Sequence, residues 1–148
     1  MPDSDGNFAL APALLKDCHR LGRLHGNQLL LMDTSLVPWF ILVPETRVTE
    51  LCDLPEAERR HLDRAMGQLS DFIRRHWTVD KLNVAAIGNV VSQLHLHVIG
   101  RHRQDYCWPG VVWGRPEKAP YGPERVAEIS AWLQAAWADE YQPGQRKE

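Results

Sequence analysis

The sequence has few cysteines, no long apolar run and little net charge. Its three cysteines, Cys18, Cys52 and Cys107, are scattered and form no Cys-x-x-Cys pair, which favours reduced thiols in a cytoplasmic protein over a disulfide framework. No apolar run approaches the ~20 residues that cross a bilayer, and the acidic start lacks the basic residues of a signal peptide. The formal net charge of −2 gives no field that favours nucleic acid or an anionic membrane. We therefore expect neither as a partner.

The length of 148 residues is typical of one domain. A chain of this size buries roughly 68–70% of its unfolded surface, which is enough for a core without a structural metal or disulfides. We expect a single domain over residues 1–148, with a core over about 8–103 and a C-terminal extension, carrying a helix, over 104–148.

Hydrophobic patterning predicts an α+β domain. Apolar residues at helical spacing predict helices, and short apolar runs predict strands. The predicted helices cover 8–17, about 53–76 and a last stretch from Pro123, and the predicted strands cover 21–24, 28–32, 38–44 and 82–87. This order implies a mostly antiparallel sheet with helices packed on one face.

The long helix has the clearest pattern. Its apolar residues recur in steps of four and three and predict one buried stripe, formed by Leu62, Met66, Leu69, Ile73 and Trp77. Asp53 and Glu56 are predicted to close a capping box at its start.

Residues 93–99 alternate polar and apolar side chains, which is the pattern of a half-buried strand. On this strand Gln93, His95 and His97 face one side, and the apolar residues between them face a core on the other. Three neutral hydrogen-bonding side chains therefore point at one place. The pattern predicts a binding or catalytic site.

The segment Gln93-Leu94-His95-Leu96-His97 resembles the signature of the histidine triad (HIT) family, which is His-x-His-x-His followed by apolar residues. The surrounding order is similar as well: a strand that ends at Pro44, a helix behind a cap at Asp53, and a hairpin through Gly88. The resemblance covers roughly residues 20–103. It implies a HIT-like α+β fold, in which the long helix and a C-terminal helix pack against the sheet.

The resemblance also implies an activity. Members of the family are nucleotide hydrolases or transferases that act at an α-phosphate of phosphoramidates or dinucleoside polyphosphates, through a nucleotidyl-histidine intermediate. It implies a homodimer that requires no metal or other cofactor. By the same resemblance His95 is the nucleophile, His97 donates to phosphate oxygens, and Asp33 either binds ribose hydroxyls or is an ordinary turn residue.

The chemistry of imidazole is compatible with these roles. With a pKa near ~6.5, a histidine side chain is partly neutral and nucleophilic at pH 7. Attack requires one free ring nitrogen, which is secured when Nδ1–H donates to a backbone carbonyl. In the family that carbonyl belongs to the first triad residue, here Gln93. We expect Asn89 and Gln93 to hold the phosphate, and Asn83 either to assist them or to cap a strand end.

Three positions depart from the family pattern. Gln93 replaces the first triad histidine, Trp39 stands where many members have a further histidine, and Asn89 is one methylene shorter than the usual glutamine. Two titratable groups are therefore missing, and general acid catalysis typically contributes ~10²–10⁴-fold. We expect a slower enzyme, or one that prefers good leaving groups.

Two other functions are compatible with the sequence. The missing groups favour a nucleotide-binding protein with little turnover. The His95–His97 pair also suits zinc or iron, but it needs a third ligand, and His102 falls on the opposite strand face by parity.

Three further expectations concern the C-terminal part of the chain. Arg101 and Arg103 are candidates to attract a polyphosphate tail, but the favoured prediction is a solvated strand end. The irregular segment around Trp108 and Trp113 is predicted to cover the site or a dimer contact. The tail from Gln142 is predicted to fray.

Overall fold

Residues 6–144 are described by a computed structural model, and within them the chain forms three α-helices and six strands. The elements in chain order are α1 (Pro12–Asp17), β1 (Cys18–Leu24), β2 (Asn27–Met32), β3 (Trp39–Pro44), α2 (Glu56–His76), β4 (Lys81–Ala85), β5 (Leu96–Arg101), α3 (Pro123–Ala136) and β6 (Tyr141–Pro143). The predicted α+β class is confirmed.

The strands form one sheet in the order β4-β5-β3-β2-β1-β6, and every neighbouring pair is antiparallel. β5 lies between β3 and β4, so that His97 is opposite Ile41 on one side and Ala85 on the other. All six residues of β5 are buried. Side chains on this strand are therefore held by a rigid backbone.

The two faces of the sheet are covered differently. On one face α2 and α3 pack on Leu96 and Val98, in a cluster that also contains Leu69 and Leu133. On the other face α1 and a later loop pack on the sheet, in a second cluster whose members include Leu10, Leu14, Trp39, Ile41, Ile99 and Val112. The predicted alternation along β5 is confirmed, because Leu96 and Val98 lie under the long helix.

The long helix α2 buries its predicted stripe. Leu62, Leu69 and Ile73 are fully enclosed, and Met66 and Trp77 pack at the edge of the same cluster. The stripe is typical of an amphipathic helix whose opposite face is solvated. No helix within residues 6–144 is long and apolar enough to cross a membrane.

The predicted capping box at the start of α2 is wrong. Asp53 lies in a separate 3₁₀ turn, Leu51–Asp53, and the helix begins at Glu56 behind Pro55, with no side-chain cap. Leu54, between the two, is extended and only 1% exposed. The extended residue Leu54 and the following Pro55 therefore separate Asp53 from the first turn of the helix.

The expectation of a frayed tail from Gln142 is also wrong for residues 142–144, and its remainder, residues 145–148, lies outside the described residues. Residues Tyr141–Pro143 form β6, which pairs with β1 at the sheet edge. Tyr141 is buried, and its hydroxyl donates to the carbonyl of Leu21. A Cβ at Gly22, where φ is +142°, would lie 2.1 Å from the carbonyl oxygen of Gln142. Glycine is therefore required at this approach of the two strands.

Candidate active site

The predicted strand over 93–99 is shorter in the structure. β5 begins at Leu96, and residues 86–95 form a long irregular connection from β4 rather than a tight turn at Gly88 and Asn89. The pairing of β4 with β5 is as predicted, but it ends at Ala85 opposite His97. His97 therefore lies on the sheet, whereas His95 lies just before it.

The ring of His95 is oriented by the backbone. Its Nδ1 lies 2.6 Å from the carbonyl oxygen of Gln93. A carbonyl only accepts, so Nδ1 carries the hydrogen and Nε2 keeps a free lone pair. No residue within 6–144 hydrogen-bonds this Nε2. The free nitrogen is the atom that a nucleophilic histidine requires.

The ring of His97 is oriented by a side chain. The indole N–H of Trp39 donates to Nδ1 of His97 at 2.9 Å. Burial, together with the nearby His95, lowers the pKa of His97 to about 4. His97 is therefore neutral at pH 7, with its hydrogen on Nε2.

An aromatic cluster surrounds the two histidines. The ring centroids of His95 and His97 are 4.9 Å apart. Trp113 packs edge-on against His97 at 5.4 Å and against Trp39 at 6.1 Å. Its indole N–H is buried and has no hydrogen-bond partner within residues 6–144.

Both histidines line a pocket of about 530 Å³. Its walls include the apolar side chains Leu14, Met32, Trp39, Ile41, Val112 and Trp113, and its charged residues are Lys16, Asp17, Asp33, Arg115, Glu117 and Lys118. Three of these charged side chains are cationic and three are acidic, so the charged lining is balanced. The apolar wall suits a flat ligand group.

Two of the predicted ligand-binding residues lie at this pocket. Asn89 is exposed and lines it. Asp33 also lines it, and its Oδ1 accepts from Nε2–H of His19 at 2.7 Å and from the N–H of Tyr121 at 3.0 Å. Burial raises the pKa of Asp33, but these hydrogen bonds more than offset it, and the pKa lies below its usual value. The carboxylate is therefore ionised at pH 7.

The other two predicted ligand-binding residues, Gln93 and Asn83, form hydrogen bonds elsewhere in the protein. Neither is among the described residues that line this pocket. Gln93 accepts from the N–H of Ala11 at 2.8 Å and donates to the carbonyl of Ala9 at 2.9 Å. Asn83 accepts from Nη1 of Arg101 at 2.9 Å. Both side chains bond polar groups of the protein in partly buried positions, which differs from the phosphate-binding role predicted for them.

The prediction of a solvated end at Arg101 is wrong. Its side chain is 2% exposed and forms a two-point ion pair with Asp105, at 2.7 and 3.0 Å. It also donates to the carbonyl of Gly110 at 2.8 Å and lies 5.7 Å from the ring of Trp108. The buried charge therefore holds the loop that carries Trp113.

Signals in the sequence for the aromatic residues of the site are weak. Trp39 stands where the resemblance puts a histidine, but its bond to His97 depends on the strand register. Trp113 lies in the aromatic segment predicted to be functional, without a pattern to single it out. No cluster of three or more His, Cys, Asp or Glu side chains suited to a metal ion is found in the described part of the chain.

Comparisons with known proteins agree on the fold. The family profile described as HIT domain matches residues 16–104. A histidine triad protein from Marinobacter aquaeolei is 39% identical, with a TM-score of 0.84 over 91% of this chain and 99% of that one. A histidine triad protein from Sinorhizobium meliloti is 32% identical, with a TM-score of 0.83 over 87% of this chain and 96% of that one. A histidine triad protein from Bradyrhizobium japonicum is 30% identical, with a TM-score of 0.83 over 88% of this chain and 98% of that one. Curated protein sequences give no match.

Proposed function

The chain belongs to the histidine triad family, and on that premise we propose that it hydrolyses or transfers a nucleotide at its α-phosphate, with His95 as the covalent nucleophile. Family membership supports a nucleotide-binding or hydrolase role in general. The proposal adds the substrate class, which is dinucleoside polyphosphates or nucleoside phosphoramidates, and a cytoplasmic location, with which its free cysteines are consistent.

The observation that carries the proposal is the free Nε2 of His95. The Gln93 carbonyl holds Nδ1–H at 2.6 Å, and His95 lines the pocket beside His97. A neutral imidazole whose tautomer is fixed is a competent nucleophile without a strong base. The nearby Nε2–H of His97 supplies a donor for a phosphate oxygen.

The reaction runs in two displacements. The Nε2 lone pair of His95 forms a bond to the α-phosphorus, and the bond from phosphorus to the leaving group breaks, with its electron pair leaving on that group. Water then attacks phosphorus, the P–N bond breaks, and its electron pair returns to Nε2. One water proton passes to solvent, and the leaving group takes up a proton according to its basicity. An alcohol or phosphate in place of water gives transfer.

The site favours acidic leaving groups. Gln93 has no titratable proton, and His97 is neutral with a pKa of about 4. Neither is suited to protonate a departing amine at pH 7. A polyphosphate departs without prior protonation, so the anhydride substrate is preferred over the phosphoramidate by a factor on the order of the ~10²–10⁴ that general acids contribute.

The proposal is tested by incubating the protein with a dinucleoside polyphosphate, quenching without acid and recording the intact mass. We expect a gain of one nucleotidyl group and release of nucleotide products, both lost in His95→Ala. His61→Ala, at an exposed position on α2, is the matched control and retains them. Unchanged turnover in His95→Ala would refute the assignment of His95 as the nucleophile.

A nucleotide-binding protein with little turnover is the second candidate. This candidate is favoured because none of Gln93, Trp39 and His97 can act as a general acid at pH 7. Ligand-dependent protection in thermal melting, with neither adduct nor product after long incubation, would support this candidate over the enzyme.

We also propose a homodimer formed through β4. This strand is at the sheet edge, and its outer side has no neighbour within the described chain. Val84 on β4 and Ile87 after it are each 42% exposed. An open edge with exposed apolar side chains is typical of a surface that pairs with another chain.

A further inference from the structure

Trp39 and His97 lie on adjacent strands of the sheet. In the register of β3 and β5, Trp39 is opposite Ile99 and His97 is opposite Ile41, so the two are diagonal neighbours on one face. Their exposed fractions are 9% and 6%. Because both backbones belong to the buried part of the sheet, the 2.9 Å bond from the Trp39 N–H to Nδ1 of His97 is held by the fold.

This bond determines where the hydrogen of His97 lies. An indole N–H only donates, and a neutral imidazole has one donor and one acceptor nitrogen. Nδ1 must therefore be the acceptor, and Nε2 carries the hydrogen. His95 is the opposite case, because the Gln93 carbonyl fixes its hydrogen on Nδ1. Two histidines whose rings are 4.9 Å apart thus hold complementary tautomers.

We propose that Trp39 is a positioning residue that fixes His97 as the Nε2–H tautomer, so that His97 serves as a neutral hydrogen-bond donor and not as an acid. The use of this donor toward a phosphate oxygen rests on the proposed function. The tautomer itself does not, and it is observable in the free protein.

The Trp39 bond also opposes protonation of His97. A second hydrogen would have to be placed on Nδ1, where it would point at the indole N–H. Burial of the ring disfavours the cation for an independent reason, and burial together with the nearby His95 lowers the pKa of His97. Trp39 thereby restricts the enzyme to substrates whose leaving group departs without a proton from His97.

Trp113 provides a matched control within the same cluster. Its indole contacts the same His97 ring at 5.4 Å, but its N–H has no partner within the described residues. Trp39→Phe removes an aromatic N–H that is bonded to His97, and Trp113→Phe removes one that is not. The two variants lose the same chemical group and differ in that bond.

The test is the ring nitrogen spectrum of His97 in ¹⁵N-labelled free protein at pH 7, from long-range proton–nitrogen correlations. In wild type we expect an unprotonated Nδ1 and a protonated Nε2. In Trp39→Phe the pattern shifts toward a mixture of tautomers, and in Trp113→Phe it is unchanged. A protonated Nδ1 in wild type, or an unaltered spectrum in Trp39→Phe, overturns the proposal.

A second measurement covers the case in which Trp39→Phe does not fold. In wild type alone, the indole proton of Trp39 should show the downfield shift of a hydrogen-bonded N–H and a through-bond correlation to Nδ1 of His97. The indole proton of Trp113 should show neither. Loss of this difference between the two indoles would also overturn the proposal.

Kinetics separate this proposal from the proposed function. With a dinucleoside polyphosphate, Trp39→Phe should lower kcat severalfold and change KM less, as expected when a transition-state donor is present in only part of the population. A tautomer shift with unchanged kcat would refute the positioning role. The expected spectra without turnover in wild type would refute the enzyme and leave the tautomer assignment standing.

Discussion

Gln93 and His95 are joined by a hydrogen bond from Nδ1 of the histidine to the backbone carbonyl of the glutamine, at 2.6 Å. The side chain of the same glutamine bonds the peptide groups of Ala9 and Ala11. The backbone of Gln93 therefore orients the proposed nucleophile, and its side chain fastens the segment that precedes α1.

We predict that Gln93→Met lowers the free energy of unfolding by about 1–3 kcal/mol, because it leaves the Ala11 N–H and the Ala9 carbonyl without their partner. Methionine is similar in size and keeps the backbone carbonyl that His95 requires. Denaturant unfolding measures the loss. Gln104→Met, at an exposed position, should change the stability by less than about 0.5 kcal/mol. Equal stability of the two variants would contradict the fastening role.

The sequence predicted the faces of β5 because alternation along a strand is local. The same pattern predicted a strand that begins too early, at residue 93. The side chain of Gln93 bonds a segment 82 residues earlier in the chain, and a local sequence pattern does not indicate such a contact. Arg101 was misjudged for a similar reason. Next to His102 and Arg103 it has the composition of a solvated end, and its burial depends on a loop that returns Asp105 to it.

We predict that Asp105→Asn lowers the free energy of unfolding by about 3–5 kcal/mol, because it leaves the buried Arg101 charge without its counter-ion. The matched control is Asp71→Asn. This substitution breaks the ion pair between Asp71 and Arg74, in which the two side chains are 67% and 60% exposed. It should change the free energy of unfolding by less than about 1 kcal/mol. Thermal or denaturant unfolding compares the two.

The Arg101–Asp105 pair also predicts a loss of stability in acid. Burial raises the pKa of Asp105, but the hydrogen bonds from Arg101 and from backbone N–H groups hold it below its usual value. A carboxyl whose folded-state pKa is lowered stabilises the protein above its unfolded value, near ~3.9, and this contribution is lost as the pH falls further. Wild type should therefore lose stability below about pH 4 more steeply than Asp105→Asn does.

The two apolar positions Leu96 and Val84 should respond differently to an aspartate. Leu96 is 8% exposed under α2, so Leu96→Asp buries an unpaired charge and should unfold the protein. Val84 is 42% exposed on the edge strand β4, so Val84→Asp should leave the fold intact and convert the proposed dimer into a monomer. Circular dichroism and analytical ultracentrifugation measure the two results. Val111→Asp, at an exposed position in a loop, is the control that should change neither.

His97 makes the stability of the fold depend on pH. Its pKa is lowered to about 4 by burial, with a smaller effect of His95, whereas the unfolded chain has the ordinary value of 6.5. Between these values the unfolded state binds more protons, so stability is complete above pH 6.5 and falls as the pH is lowered to about 4. The total loss is on the order of 3 kcal/mol, since one pKa unit corresponds to about 1.4 kcal/mol.

His97→Asn removes the titrating group, and unfolding measured from pH 7 to pH 4 should show a slope that is smaller by up to about 1.4 kcal/mol per pH unit. His61→Gln, on the exposed face of α2, should retain the wild-type slope. Trp39→Phe should narrow the steep part of the curve from its low-pH end and reduce the total loss, because removing the donor that stabilises the neutral ring raises the folded-state pKa toward the unfolded value. If wild type and His97→Asn have the same pH dependence, His97 is not held neutral by the fold, and it would be free to act as the acid that the proposed mechanism lacks.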